Sequence, residues 1–490
     1  MNNTLKYKLI AAAVALIGFT SCNSWLDLEP SDTTTDTELF GTGKGYRIAL
    51  NGIYAQMSEP ALYGQELSWG MVDVAAQQYM ASQLRGSTGY QYVAYYYRYT
   101  DDLYVKPVFQ QIWSNMYNNI ANCNNLIQRI SEEDGSKFAQ GEMEQNLIKG
   151  EALALRAYLH FDLLRLFAPS MKQNDNKQHL PYVDKYPVTF EAYSDNNVFL
   201  EKTIADLKAA KELLKPYETE NIKYMATSYR IEGGSGSNAE SPVDDDIFFT
   251  FRGFRMNYYA ACALLARVYN YAGMHKEAFD ETEEVINASP YPDYGSYYNC
   301  FGFTSSYKIN PDYGYDNVMT YDEVIFTLSN TELLENYKPY YSGDKHLYLN
   351  GSLNSIFDQA SDSRRQLVKE ENYQLLSRKH LETGGSCATH CKNMLPMIRL
   401  SEMYYIRAEY YHNIGNDQEA FQQLDVVRGG YGCTTGRLSG SFETELLKEA
   451  RRAFIGEGQL YFYYKKLDVL PSNMRSSDSF VWPLPDNEAL

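Results

Sequence analysis

Apolar residues recur at three- and four-residue spacing in several long blocks, the period of helices that bury one face. The first block runs from about Lys44 to Met57. The second, Val108 to Ile130, sets Ile112, Met116, Ile120, Cys123 and Ile127 on one stripe. The third, Glu144 to Phe167, is expected to stop at Pro169, and the fourth, Val198 to Leu214, at Pro216. Proline has no amide hydrogen to donate, and its ring crowds the preceding turn. Two later blocks repeat each other: Tyr259 to Pro290, and Arg399 to about Arg428. With Gly273 set against Gly415, Ala266 matches Ala408, Tyr269 matches Tyr411, Ala278 matches Ala420 and Val285 matches Val427. Small residues let two helices approach, glycine ends the first, and alanine begins the packed face of the second. That is the helix-turn-helix pattern of a tetratricopeptide unit.

The segments between these blocks lack helical periodicity. Gly86 to Asp101 carries Tyr90, Tyr92, Tyr95, Tyr96, Tyr97 and Tyr99. Glu218 to Thr250 is polar, Tyr291 to Tyr321 scatters tyrosines among Gly, Pro and Asp, and Lys338 to Leu395 is long and irregular. Loops of this length are functional or mark a wrong assignment, and their aromatic content favours function. The predicted fold is therefore mostly α: a tetratricopeptide-like helical repeat scaffold with a loop-rich second half packed on it. The chain has 45 Tyr against 22 Phe and 4 Trp. Tyrosine joins a flat apolar face to a hydroxyl and works where one end is dry and the other wet.

The N-terminus carries a different signal. Lys6 and Lys8 precede an uncharged, mostly apolar run from Leu9 to Phe19, then Thr20, Ser21 and Cys22. This is a secretory signal, and its apolar run is too short to span a bilayer as a helix. A cysteine directly after the cut site is the pattern of a bacterial lipoprotein, with acylated Cys22 as the mature N-terminus. The chain then divides into a signal peptide (1–21), a lipidated tether (22–40) and one domain (41–490). The formal charge of −18 repels nucleic acid, and no basic patch offsets it. Six further cysteines are too sparse for a disulfide framework; Cys123 and Cys262 read as packed thiols.

In order along the chain, several segments resemble the SusD/RagB family of surface lipoproteins from Bacteroidota. They are Trp25 to Ser31, Trp113 to Leu126, Arg156-Ala157-Tyr158 leading to Phe167, and Leu180-Pro181. Then come the Ala260 to Ile286 hairpin, Asp322 to Phe326, the Arg399 to Arg428 hairpin, Leu446 to Asp468 and Phe480 to Glu488. The resemblance implies a right-handed array of helix pairs supporting loops, held at the cell surface of the outer membrane by lipid. It also implies a SusC-like TonB-dependent transporter as partner, and capture of an oligosaccharide, or in some members a peptide, for import without catalysis. A protein-interaction scaffold is the remaining non-enzymatic alternative.

Sugar capture needs aromatic faces and polar groups. Trp69, beside Asp73, Gln77 and Gln78, is the leading candidate; Tyr95, Tyr96, Tyr294, Tyr313 and Tyr315 follow by loop position. Trp113 has helical spacing and reads as core, and the resemblance makes Trp25 and Trp482 structural. Cys387, His390 and Cys391 place three soft ligands within five residues, but structural zinc takes four, usually as two separated pairs. The motif reads as a local disulfide or free thiols, and no metal or cofactor is expected. Asp244 to Asp246 reads as a solvated acidic loop. Gly41 to Gly45 lacks the spacing of a phosphate loop, and no HExxH or G-x-S-x-G occurs. A surface glycoside hydrolase is the enzyme alternative, since carboxylate pairing is a matter of distance in space.

Overall fold

The periodic blocks fold as helices and stack in chain order. The computed structural model describes residues 36–490, apart from positions 87, 102, 189, 235–239, 244–245, 296–298, 343–344, 487 and 489–490. The helices of eight residues or more are α1 (Gly43–Met57), α2 (Thr88–Tyr96), α3 (Lys106–Ser131), α4 (Gly141–Phe167) and α5 (Asn196–Glu220). They continue with α6 (Tyr258–Tyr271), α7 (His275–Ile286), α8 (Leu400–Asn413), α9 (Asp417–Gly430), α10 (Phe442–Ala453) and α11 (Leu460–Leu467). Helices α3 to α9 pack each on the next, which makes the mostly α, tetratricopeptide-like array.

The two repeats fold alike. Gly273 (φ +78°) and Gly415 (φ +77°) take the left-handed conformation at the turns of α6–α7 and α8–α9, where a side chain would be strained. The paired alanines Ala266, Ala278, Ala408 and Ala420 are all buried. Helix α4 is the centre of the scaffold, buried almost throughout its last five turns. Its polar groups are matched: Glu151 receives hydrogen bonds from Tyr54, Arg252 and Arg255, and Arg156 pairs with Asp206.

Two expectations fail for definable reasons. Helix α5 runs through Pro216 to Glu220. Tyr217 buries its ring beyond the proline, and Glu218 binds buried Arg252, so tertiary contacts outweigh one lost amide bond. The tyrosine-rich stretch from Gly86 to Asp101 contains α2. Tyr90, Val93, Ala94 and Tyr97 are buried at helical spacing, a stripe that the surrounding exposed tyrosines obscure.

Three antiparallel strand pairs brace the loops: β1 (Gln178–Pro181) with β2 (Tyr193–Asp195), β3 (Val324–Ser329) with β6 (Met394–Arg399), and β4 (Val368–Glu371) with β5 (Gln374–Ser377). Strands β3 and β6 are almost wholly buried. Arg399, at the end of β6, donates to Glu457 (2.6 Å), Thr320 (2.8 Å) and Glu323 (3.2 Å), and Lys379 donates to Glu457 as well (2.5 Å). Arg364, Arg428 and Arg452 converge on buried Glu449.

Trp113 and Trp482 are buried, as expected of core residues. Cys123, Cys262, Cys387 and Cys391 are buried free thiols, and burial pushes the Cys123 and Cys391 thiols up to about 12. Among the described residues no group of three or more His, Cys, Asp or Glu is placed to hold a metal ion. Asp246 pairs with Arg47 (2.8 Å), while Asp244 and Asp245 lie outside the described residues, as do the signal peptide, Cys22 and Trp25. No described helix is long and apolar enough to cross a membrane.

Candidate functional site

Between α1 and α2 the chain turns repeatedly and then forms a single helical turn, Met71–Ala75. Two features bolt this segment to the scaffold. The buried carboxylate of Asp73 accepts from the amides of Gly456 (2.9 Å) and Gly458 (3.2 Å), in the turn that joins α10 to α11. Gly458 also sits against the backbone of Leu67. A Cβ there would lie 2.2 Å from the Leu67 carbonyl oxygen, and its φ of +72° also excludes most residues.

Trp69 lies in the middle of this segment and is 0% exposed. Its ring meets Tyr337 edge-on at 4.9 Å and Tyr340 at 5.0 Å, with His380 at 6.2 Å. Trp69 therefore offers no face to a ligand, which corrects the expectation drawn from its loop position. Its neighbours Asp73, Gln77 and Gln78 are buried too, and Gln77 donates to the Ala94 carbonyl (2.8 Å). Burial holds His380 neutral, with its pKa lowered to about 4. Trp69 is the post under a site, and the groups above it carry the chemistry.

Those groups are Gln65, Glu66, Tyr90, Tyr340, Tyr341 and Lys345. The Gln65 amide nitrogen lies 3.0 Å from the hydroxyls of both Tyr90 and Tyr340 and donates to Glu66 at the same distance. The Tyr90 hydroxyl donates to the Glu66 carboxylate at 3.1 Å, and the Met71 amide does likewise. The Tyr90 and Tyr340 rings stack at 6.2 Å, Tyr337 stacks on Tyr341 at 6.0 Å, and the Lys345 ammonium lies 5.6 Å from the Tyr340 ring centre. Gln65, Glu66, Tyr341 and Lys345 keep partial access to solvent. Burial raises the Glu66 pKa from 4.5 to about 7, against the hydrogen bonds from Tyr90, Met71 and Gln65 that lower it.

The result is a partly exposed cradle: a carboxylate, a carboxamide, phenol hydroxyls and an ammonium set against aromatic rings, of which those of Tyr90 and Tyr340 are buried. Such a set suits a neutral ligand with many hydroxyls and an apolar C–H face. Asp73, the nearest acid in sequence, is buried and engaged by two amides, so it does not share the cradle with Glu66.

The other expected residues lie elsewhere. Tyr95 and Tyr96 stand on the same helix as Tyr90, five and six residues on. At ~100° per residue they point away from its face. Tyr96 is 68% exposed, and the two rings lie 5.7 Å apart. Tyr313 (65% exposed) and Tyr315 (39% exposed) occupy the turn before β3, where Tyr315 meets Tyr307 edge-on at 5.4 Å. The structure thus brings Tyr95 and Tyr96 together at the end of α2, and Tyr315 together with Tyr307. Tyr294 ends a short turn, Pro292–Tyr294, and its side chain lies outside the described residues. Sequence reasoning missed Gln65, Glu66, Tyr340 and Tyr341. The available signal was the Gln65-Glu66 pair just ahead of Trp69, polar groups beside the only tryptophan outside the periodic helices and the chain ends.

Residues 25–229 match a SusD-like family model described as starch-binding, associating with outer membrane. A curated SusD-like protein of Formosa agariphila is 25% identical over 249 residues, 48% of this chain and 45% of that protein, so the match spans less than half of either. A solved SusD superfamily structure from Bacteroides thetaiotaomicron is similar over 91% of this chain and 97% of its own, with 23% identity and a TM-score of 0.65. A structure named a laminarin-binding SusD-like protein is similar over 91% of this chain and 96% of its own, with 15% identity and a TM-score of 0.58.

Proposed function

We propose, from its likeness to SusD-type proteins, that the chain is a cell-surface lipoprotein that captures oligosaccharide for import. Cys22 carries the acyl anchor, and a SusC-like TonB-dependent transporter receives the cargo. The observation that carries the reading is the cradle above Trp69. Gln65, Glu66 and the tyrosine hydroxyls are already held in place by one another, so a bound sugar does not have to order them. Preorganisation of this kind lowers the entropic cost of capture. The half-buried Tyr341 ring offers an apolar face to the C–H face of a pyranose, the buried Tyr90 and Tyr340 rings support the site, and Glu66 and Gln65 accept from and donate to its hydroxyls. The ligand class is a neutral glycan, because a net charge of −18 disfavours polyanions. The laminarin-binding relative gives β-glucan a place in the first panel to try.

Affinity electrophoresis through gels containing laminarin, starch and other neutral glycans tests this. The wild-type chain is retarded by at least one of them, and Tyr340→Ala and Glu66→Ala move freely in that gel. Retardation by none, together with heat released on titration with mixed peptides, replaces the reading with peptide capture.

A further inference from the structure

A second concavity shares no lining residue with the cradle. It encloses about 800 Å³ and is bordered by the first turns of α1, by residues 136–139 and by residues 247–255. Phe248, Phe251 and Phe254 line it, and two aliphatic side chains stand open at its edge: Ile48 is 53% exposed and Ile247 75% exposed. Large exposed aliphatics around a groove mark a surface that something covers. Arg47 and Arg255 sandwich the Phe248 ring at 4.5 and 4.4 Å. Each guanidinium keeps one nitrogen, Nη2, without a hydrogen-bond partner, and exposed Lys44 adds a cation at the rim. The groove is therefore apolar within; Arg47 is paired with Glu144 and Asp246 and Arg255 with Glu151, so what its border lacks is an acceptor for the two Nη2 groups, and Lys44 is its exposed cation.

We infer that the occupant is the chain's own N-terminal segment, residues 25–30. That stretch reads Trp25-Leu26-Asp27-Leu28-Glu29-Pro30: three large apolar side chains interleaved with two acids. Its apolar side chains match the phenylalanines and isoleucines, and its carboxylates and carbonyls match the arginines and Lys44. The chain length allows it. Thr42 borders the groove, and Asp36 is pinned close by through Arg129 (3.1 Å) and Asn125 (3.3 Å). The eleven residues back to Trp25 reach up to ~36 Å when extended. A segment attached this near has an effective concentration of about millimolar, so even a weak contact is populated. A second copy of the chain or a partner's loop has no such advantage.

Docking turns the tether into a strap. Cys22 lies three residues before Trp25, within ~10 Å of it. If Cys22 is acylated, as the proposed function holds, the groove side of the protein faces the membrane and the reach of the tether is cut to a few residues. The docking itself does not depend on acylation.

Tryptophan quenching tests the inference in a soluble chain starting at residue 22 with Cys22→Ser. Trp69, Trp113 and Trp482 are buried, so Trp25 alone, one of 4 Trp, reports docking. Acrylamide is expected to quench the chain no more readily than it quenches Trp25→Phe. Ile247→Glu, at an exposed position, is expected to keep the helical circular dichroism and to expose about a quarter of the emission, the share of one tryptophan in four if all four emit equally. The inference is overturned if the parent chain already shows that accessible share, or if Ile247→Glu and Ile48→Glu both leave Trp25 protected. It is also overturned if protection appears only at concentrations where sedimentation shows a dimer. Glycan gels run on the same samples keep this result separate from the capture reading.

Discussion

Replacing Glu66 by Gln removes a charge from the place in the cradle where burial most disfavours it. The Glu66 pKa rises from 4.5 to about 7 because burial penalises the carboxylate. The folded chain therefore holds a proton across a window in which the unfolded chain has lost it. Stability is greatest near the lower end of that window, falls as pH rises from about 4.5 to about 7, and is level above. Glutamine has nothing to release, so the variant lacks this fall. A rise of that size is worth at most about 3 kcal/mol. Glu66 is only half-buried, and screening reduces the figure to ~1–2 kcal/mol. Against this, the carboxylate oxygen that accepts from Met71 is replaced by an amide group, at a cost of ~1 kcal/mol. Glu66→Gln should thus be slightly less stable than the parent near pH 4.5 and equal or more stable at pH 8. For a chain of this size, the melting-temperature difference between the two should change by ~1–2 °C across the window. Scanning fluorimetry at pH 4.5, 6 and 8 measures it. A difference that stays constant from pH 4.5 to 8 refutes the argument, since the carboxylate would then be solvated like any surface acid. The same variant should bind glycan more weakly at every pH, which would identify Glu66 as a group kept for binding at some expense of stability.

The scaffold and the site give three further expectations. Trp69→Ala should cost ~3–5 kcal/mol, the range for losing a fully buried aromatic. It should abolish glycan retardation indirectly, with thermal unfolding as the first readout. Gly458→Ala, which sets a methyl group against the Leu67 carbonyl at a positive φ, should lower the melting temperature and weaken glycan binding together, because it displaces the segment that carries Gln65 and Glu66. Tyr95→Ala, Tyr96→Ala and Tyr313→Ala should each change stability by less than ~0.5 kcal/mol. They should also leave glycan retardation intact; loss of retardation in any of them would move the binding site to that loop.

Much of the scaffold could be read from apolar spacing. Ala266, Ala278, Ala408 and Ala420 carried the repeat because a small residue at a close helix crossing is dictated locally. The site was less legible, for a physical reason. Trp69 looked available because it stands outside the periodic helices, yet loop residues from distant segments, Tyr337, Tyr340 and His380, close over it. No spacing in the chain records that closure. Tyr90 and Tyr340 lie far apart in sequence, and only the fold stacks them. Helix α2 was hidden because its tyrosines serve both faces: Tyr90 is buried, whereas Tyr96 is exposed. Pro216 misled because burial of Tyr217 and the ion pair of Glu218 lie beyond the reach of local rules.

How such long loops are held on the scaffold follows from where the arginines are buried. Arg230 is wholly buried and, among the described residues, bonds to no carboxylate. It donates to the carbonyls of Val324 (3.1 Å), Cys300 (2.9 Å), Tyr321 (3.2 Å) and Asp322 (2.6 Å) and to the Thr227 hydroxyl (2.7 Å). Burial without a directly bonded carboxylate lowers its pKa to about 10, still charged at any physiological pH. One side chain thus satisfies carbonyls at Cys300 and at the entry to β3, which must otherwise turn toward water. Glu449 does the converse. It gathers Arg364, Arg428 and Arg452, which brings the turn before β4 onto α9 and α10, and these guanidinium groups hold its pKa down to about 2. Removing it would leave three buried cations with fewer acceptors, a loss of ~3–5 kcal/mol. Glu449→Ala should therefore unfold the chain at markedly lower denaturant, and a midpoint close to the parent's would show that the arginines repair themselves through Asp358 and Asp362. If they do not, the packing of the turn before β4 on α9 and α10 is a property of these buried charges.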